Sequence, residues 1–248
     1  MSVLVSMIER GARARQRPRP NSPPPRAARA AALAAIALAA ACAPALRPPR
    51  EPGPFRAPDL VELVTLDPTL HLDVRYATSH NFVGRPLYRQ ARAFLQRPAA
   101  EALVRAHQAL RAKGYGLVVF DGYRPWSVTR LFWEVTPEDK HEFVADPRKG
   151  SRHNRGCAVD LSLFDLATGR EVEMPSGYDE MTERASPDYA GGPAEARARR
   201  DVLRAAMEAE GFTVYSSEWW HYDYKDWPRY PVLDVPFEAL GRAPAPSR

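Results

Sequence analysis

Cysteine is almost missing from this chain: Cys42 and Cys157 are the only two in 248 residues. If Cys42 is lipidated or removed, no intrachain disulfide can form, so the fold needs another source of stability. Cys157, between Gly156 and Ala158, reads as a small buried side chain. Acids are missing from the N-terminus, where residues 1–50 hold nine arginines against a single acid, Glu9. The formal charge of +5 therefore belongs to the tail, and the rest of the chain is mildly acidic. That distribution argues against a nucleic-acid partner for the folded part. Long apolar runs are absent too. The stretch Ala30 to Ala41 is twelve residues long, whereas a membrane-spanning helix needs about 20. Internal repeats are also lacking.

What the tail does contain is an Arg- and Pro-rich stretch to Arg29 followed by that short apolar run, the layout of an export signal. The run ends in Leu38-Ala-Ala-Ala-Cys42, a loose match to the box that precedes a lipidated cysteine, which makes Cys42 the lipidation candidate. An ordinary signal cut near Ala41 or Ala43 is the alternative. The expected address is a bacterial envelope, periplasmic or membrane-anchored, with the membrane touched only through a lipid at Cys42. The expected layout is residues 1–42 as export segment, 43–58 as proline-rich linker, 59–237 as one domain and 238–248 as tail.

Within the domain the patterns interleave. Ala99 to Lys113 places Leu103, Ala106, His107 and Leu110 on one helical face and stops at Gly114. Gly116 to Phe120 reads as a buried strand. Ala158 to Leu163 alternates, with Val159, Leu161 and Leu163 on one side and Ala158, Asp160 and Ser162 on the other. Glu195 to Glu210 predicts a second helix ended by Gly211, and Phe212 to Ser216 a further strand. Strands and helices lack the regular spacing of a doubly wound sheet, so the fold class is α+β.

Two clusters carry chemistry. The first is Ser151-Arg-His153-Asn-Arg-Gly156-Cys-Ala158-Val-Asp160; the second, about sixty residues on, is Glu218-Trp-Trp-His221. Together they supply two imidazoles and a carboxylate, the ligand set of a catalytic zinc with one position open for water. Asp160 sits beside the small Ala158 and Ser162, leaving room for a metal, and Gly156 lets the loop carrying His153 fold back. Glu218 precedes His221 by three residues. In a regular strand that spacing sends the two side chains to opposite faces, so a turn or bulge is expected between them. His71, His80, His107 and His141 have no such company and read as structural or surface residues. Trp219 and Trp220 read as core or cleft-wall aromatics.

The pattern Ser-x-His-x-x-Gly-x-Ala-x-Asp followed by Glu-x-x-His resembles the zinc D-Ala-D-Ala peptidases. Tyr76-Ala-Thr-Ser-His-Asn81-Phe82-Val-Gly84, Asp121-Gly-Tyr-Arg124-Pro125 and Ser217-Glu-Trp-Trp-His221-Tyr narrow the likeness to the VanX-type D-alanyl-D-alanine dipeptidases. The resemblance spans roughly residues 60–236. It implies a hedgehog- and D,D-peptidase-like domain with a central, largely antiparallel sheet flanked by helices. It also implies one zinc ion per chain, held by His153, Asp160 and His221, with Glu218 as general base and acid. Arg124 would stabilise the oxyanion, a task that suits an always-charged rigid fork of donors. Ser151 and Tyr88 would bind the substrate carboxylate, and Tyr76 and Asp179 its ammonium group. The export segment departs from the resemblance, because glycopeptide-resistance enzymes of this type act in the cytoplasm.

A dipeptide zwitterion carries one charge at each end, and an acidic group at Asp179 would block a longer peptide where its chain must continue. The expected activity is therefore zinc-dependent hydrolysis of the dipeptide to free D-alanine. A D,D- or L,D-carboxypeptidase trimming wall stem peptides is the alternative with the same metal. A non-catalytic, zinc-stabilised wall-peptide module is the alternative from another class, and it would need neither Glu218 nor Arg124. No oligomeric state follows from these residues.

Overall fold

The computed structural model describes residues 47–241. The export segment with Cys42, the start of the linker and the last seven residues of the tail lie outside the described residues.

Among the described residues, seven strands and three helices of two or more turns build the domain. Strand β1 (Leu60–Glu62) runs into a single helical turn, and β2 (His71–Leu72) follows. Next come β3 (Phe94–Gln96), helix α1 (Arg97–Arg111), β4 (Tyr115–Asp121) and helix α2 (Trp126–Val135). Then follow β5 (Ala158–Asp165), helix α3 (Ala194–Ala209), β6 (Phe212–Tyr215) and β7 (Glu218–Tyr224). The central five-stranded sheet has the order β2-β4-β5-β7-β6, and β1 and β3 form a separate antiparallel pair. Only β2 pairs in parallel with its neighbour; the other three pairings of the central sheet are antiparallel. The α+β expectation, with its largely antiparallel sheet, holds.

Local sequence explains the elements. Helix α1 starts with Pro98 in its first turn and buries Ala99, Leu103, Ala106, His107 and Leu110 on the predicted face. Gly114 at φ +84° turns the chain away behind it. Helix α3 buries Leu203, Ala206 and Met207 and is followed by Gly211 at φ +85°. Helix α2 was not expected. Its buried Trp126, Thr129 and Phe132 make only a short stripe of i, i+3 spacing that begins immediately after Pro125.

The sheet has two unlike faces. Leu117, Val119, Val159, Leu161, Leu163 and Tyr222 pack with Leu103 and Leu110 of α1 and Leu203 and Met207 of α3 in one core. Each such apolar side chain contributes about 1.5–3 kcal/mol by leaving water. Val118, Phe120 and Phe164 form a smaller cluster on the other face, with Tyr178 packed against it. The alternation read from Ala158 to Leu163 thus places Asp160 and Ser162 away from the helices, on the face where the chemistry lies.

Two irregularities in the ladders position the site. Val119 pairs with Leu161 and Asp121 with Asp160, so one extra residue sits on β4 at Phe120. Without that bulge Asp121 would share the face of Leu117 and Val119; with it Asp121 turns towards Asp160. On β7, Val214 pairs with Tyr222 but Tyr215 with Glu218. The expected bulge between Glu218 and His221 is therefore present.

Residues 43–58 were expected to be a linker, but part of the described stretch, 47–58, lies on the domain. The Arg56 guanidinium pairs with Asp226 at 3.0 Å, its backbone N–H donates to Arg229, and Glu51 pairs with Arg155. Proline content marked the segment as extended; the charges that dock it were not part of that reading.

Candidate active site

Three strands converge on one spot. Asp160 of β5 stands opposite Asp121 of β4 on one side and His221 of β7 on the other. The third predicted ligand, His153, comes from the loop before β5. That loop is tied down at both ends. Gly156 adopts φ +66°, its carbonyl accepts the Gln96 N–H at 2.8 Å, and a Cβ there would lie 2.5 Å from Leu60. Asn154 donates to the Arg124 carbonyl and the Thr129 hydroxyl, both at 2.8 Å. The Arg124 N–H in turn donates to the His153 carbonyl at 3.1 Å, so the two loops are bonded reciprocally.

The result is a triangle of donor atoms. His153 Nε2 lies 3.1 Å from His221 Nδ1 and 3.3 Å from Asp160 Oδ1, and His221 Nδ1 lies 3.1 Å from the same oxygen. Zinc bonds of about 2.0–2.1 Å at tetrahedral angles separate neighbouring donors by about 3.3–3.4 Å. The triangle fits that ion. Each imidazole is oriented by a bond from its other nitrogen: His153 Nδ1–H donates to the Gly122 carbonyl at 2.7 Å, and His221 Nε2–H to Asp223 Oδ1 at 2.9 Å. Asp160 Oδ1 is buried and meets only the two imidazole nitrogens that face it, an acceptor that suits a cation. Its other oxygen accepts from the Tyr178 hydroxyl at 3.0 Å. Burial pushes Asp160 upward, but the two imidazoles outweigh it and hold the carboxyl below the ordinary carboxylate range. Burial likewise opposes charge on His221, yet Asp160 and Asp223 raise it to about 10, so the donor set favours positive charge.

Glu218 Oε2 lies 3.8 Å from His221 Nδ1. Burial pushes its carboxyl up to about 7, against the pull of His221, which suits a group that takes and returns a proton near neutrality. Arg124 is buried and held from several sides. Asp121 Oδ2 is 2.8 Å away and Asp160 Oδ2 3.5 Å, and the guanidinium lies 4.6 Å from the Phe132 ring centre. Asp121 is fixed in turn by the Gly122 N–H and the Tyr88 hydroxyl, each donating to Oδ1 at 2.9 Å.

His153, Asp160, His221, Glu218 and Arg124 line one cleft of about 580 Å³. Tyr76 and Asp179 meet on its wall, the tyrosine hydroxyl lying 3.0 Å from both carboxylate oxygens. Asp179 is the one residue besides glycine with positive φ among the described residues, at +60°. Burial, followed by the charge of Asp160, raises its carboxyl well above the usual range. Ser151 lines the same cleft, and its Oγ accepts the His153 N–H at 3.2 Å.

Tyr88 is the correction. It does not line the cleft; it is buried with its hydroxyl committed to Asp121, a place from which it supports Arg124 and not one that faces a substrate carboxylate. Three supporting residues were missed. Asp121 was visible within Asp-Gly-Tyr-Arg124-Pro, three residues before the arginine it holds. Asp223 lies two residues past His221 and on the same strand face, a signal that period-two spacing could have supplied. Tyr178 had no local signal, since it reaches Asp160 from an irregular loop.

Fold and site together fit a metallopeptidase, with two histidines and an aspartate placed to hold a metal ion. A model of the D-Ala-D-Ala dipeptidase family matches residues 56–238. The chain is 36% identical over 182 residues to the D-alanyl-D-alanine dipeptidase of Escherichia coli (strain K12), covering 73% of this chain and 93% of that one. It is 40% identical over 188 residues to the D-alanyl-D-alanine dipeptidase of Enterococcus faecalis (strain ATCC 700802 / V583), covering 67% and 92%. The LdcB LD-carboxypeptidase structure aligns with 70% of this chain and 71% of its own at 20% identity and a TM-score of 0.38, too low to bear on function. The chain belongs to the D-Ala-D-Ala dipeptidase family.

Proposed function

We propose that this chain hydrolyses the free dipeptide D-alanyl-D-alanine to two molecules of D-alanine, with one zinc ion per chain. The observation that carries the substrate reading is the Tyr76–Asp179 pair on the wall of the same cleft as Glu218 and the metal ligands. A buried carboxylate there matches the free ammonium of a dipeptide and repels a chain that continues as an amide.

His153, Asp160 and His221 would hold the zinc, which when bound supplies Lewis acidity and makes water a competent nucleophile near neutral pH. The remaining work is done by the chain. Glu218 takes a proton from the attacking water and returns it to the leaving amine. Arg124, fixed by Asp121, faces the oxygen on which negative charge develops. Ser151 helps orient the carboxylate end.

We further propose that the chain is exported and anchored through a lipid on Cys42, where it returns D-alanine from wall peptides or clears the dipeptide. This reading rests on the apolar run and the cysteine that ends it. Loss of membrane association on Cys42→Ser would support the anchor, and unchanged association would remove it.

The test of the activity is D-alanine release by the chain lacking residues 1–42, from D-Ala-D-Ala and from an N-acylated D-Ala-D-Ala peptide. The expected result is cleavage of the free dipeptide alone, abolished by a chelator and restored by zinc. Equal or faster cleavage of the acylated peptide would make the enzyme a carboxypeptidase and end the assignment of Tyr76 and Asp179.

A further inference from the structure

The proposed cleft has an anion for the substrate's ammonium group, but its fixed cation, Arg124, is already neutralised by Asp121 and Asp160. A dipeptide brings a carboxylate as well. Burying it without a positive partner would cost more than a serine hydroxyl returns.

The other cations of the cleft wall are Lys149, Arg152 and Arg155. Arg155 is buried and paired with Glu51, and it also donates to the Tyr230 carbonyl at 2.6 Å. Lys149 is exposed, on a stem with many rotamers to lose. Arg152 differs from both. It stands between Ser151 and His153, its side chain keeps 40% of its exposure, and its guanidinium lies 4.8 Å from the Trp227 ring centre. Its Nε is 3.2 Å from Asp223 Oδ2 but makes no hydrogen bond. No other donor of this guanidinium is engaged among the described residues. A cation placed by a ring and a carboxylate, with its fork of donors unspent, is preorganised for a second anion.

We propose that Arg152 is the specificity-determining residue that receives the terminal carboxylate of the substrate, with Asp223 and Trp227 holding its guanidinium in place. The inference rests on the dipeptidase reading and deepens it. It sets Arg152 at the end of the cleft that requires a free carboxylate, and Asp179 at the end that requires a free amine. Because Asp223 also accepts from His221, Arg152 has a rival role as a positioning residue for the metal site, and the test must separate the two.

The experiment compares D-Ala-D-Ala with its C-terminal amide on the parent chain, Arg152→Ala and Arg152→Lys, with bound zinc measured on each. The expected outcome is a KM for the free dipeptide raised about 10- to 150-fold by Arg152→Ala. The preference for dipeptide over amide should collapse by the same factor, zinc content should hold, and Arg152→Lys should fall between. An equal loss on both substrates, or loss of zinc with kcat, would overturn the proposal in favour of the positioning role. Calorimetric binding of the dipeptide to Glu218→Ala, with and without Arg152→Ala, gives a reading independent of turnover. Unchanged affinity there overturns the proposal too. Failure of the parent chain to release D-alanine would instead remove the dipeptidase reading, while this binding comparison still decides Arg152.

Discussion

Asp160 and His221 face each other across the β5–β7 ladder, and the aspartate Oδ1 lies 3.1 Å from the histidine Nδ1. Two of the three proposed metal ligands are thus fixed by main-chain hydrogen bonds, and only His153 depends on a loop. Glu218 belongs to the same strand as His221 but lies beyond a bulge, which brings its carboxyl into the site 3.8 Å from the His221 Nδ1, a placement that suits the proposed base and not a fourth ligand. The division of labour between these two residues is set by backbone geometry.

For that reason Glu218→Gln should separate chemistry from metal binding. The amide keeps the shape of the side chain but cannot carry the proton, so kcat should fall about 10²–10⁴-fold. Bound zinc, measured by atomic absorption, should match the parent chain. Loss of metal together with activity would mean that Glu218 is itself a ligand.

Tyr88→Phe tests whether this hydroxyl serves Arg124 or the substrate. Asp121 Oδ1 loses one of its two donors, so the fold should weaken by about 1–3 kcal/mol and kcat should drop as Arg124 gains freedom. KM for the dipeptide should stay at the parent value. A raised KM with an unchanged kcat would return Tyr88 to the substrate.

Asp179, the proposed partner of the substrate's ammonium group, is buried at a cost to stability. Its folded pKa lies well above the unfolded 3.8. Its contribution to stability is therefore complete below about pH 4 and lost as pH rises through the raised value. An ionised Asp179 in this buried place is unfavourable until a cation such as an ammonium group stands beside it. Asparagine keeps an acceptor for Tyr76 and tolerates the positive φ. Asp179→Asn should therefore gain on the order of 1–3 kcal/mol in denaturant unfolding at pH 7. The same variant should lose about 10- to 150-fold in kcat/KM on the free dipeptide. Lower stability, or full activity, would contradict this account.

His107 predicts an acid limit far from the site. Its Nδ1 accepts the Leu117 N–H at 3.0 Å, so Nε2 carries the hydrogen and donates to Thr69 Oγ1 at 3.0 Å. A second proton would break the bond to Leu117, and burial lowers the pKa from 6.5. Stability from this group is present above pH 6.5 and lost as pH falls through the lowered value. Thermal midpoints taken between about pH 7.5 and 5 should fall in the parent chain and fall less in His107→Gln. Equal slopes would remove His107 as a cause.

By itself the sequence determined the class of chemistry and most of the regular elements. Ligand spacing, period-two alternation around Asp160 and the apolar stripes of α1 and α3 are local properties, readable because side-chain direction follows directly from backbone period. Even the need for a bulge before His221 followed from counting three residues along a strand. Tertiary structure decided what counting could not. The extra residue at Phe120 that turns Asp121 towards Asp160 is a mismatch between two strands, invisible in either alone. Tyr88 was placed wrongly because a tyrosine's role is set by what its hydroxyl meets, and Asp121 lies thirty-three residues away. Helix α2 begins where Pro125 permits, but Arg124 just before it becomes functional only through contacts from β4, β5 and the His153 loop. Asp223 and Arg152 came together for the same reason: residues distant in sequence share a site only when the sheet has closed around it.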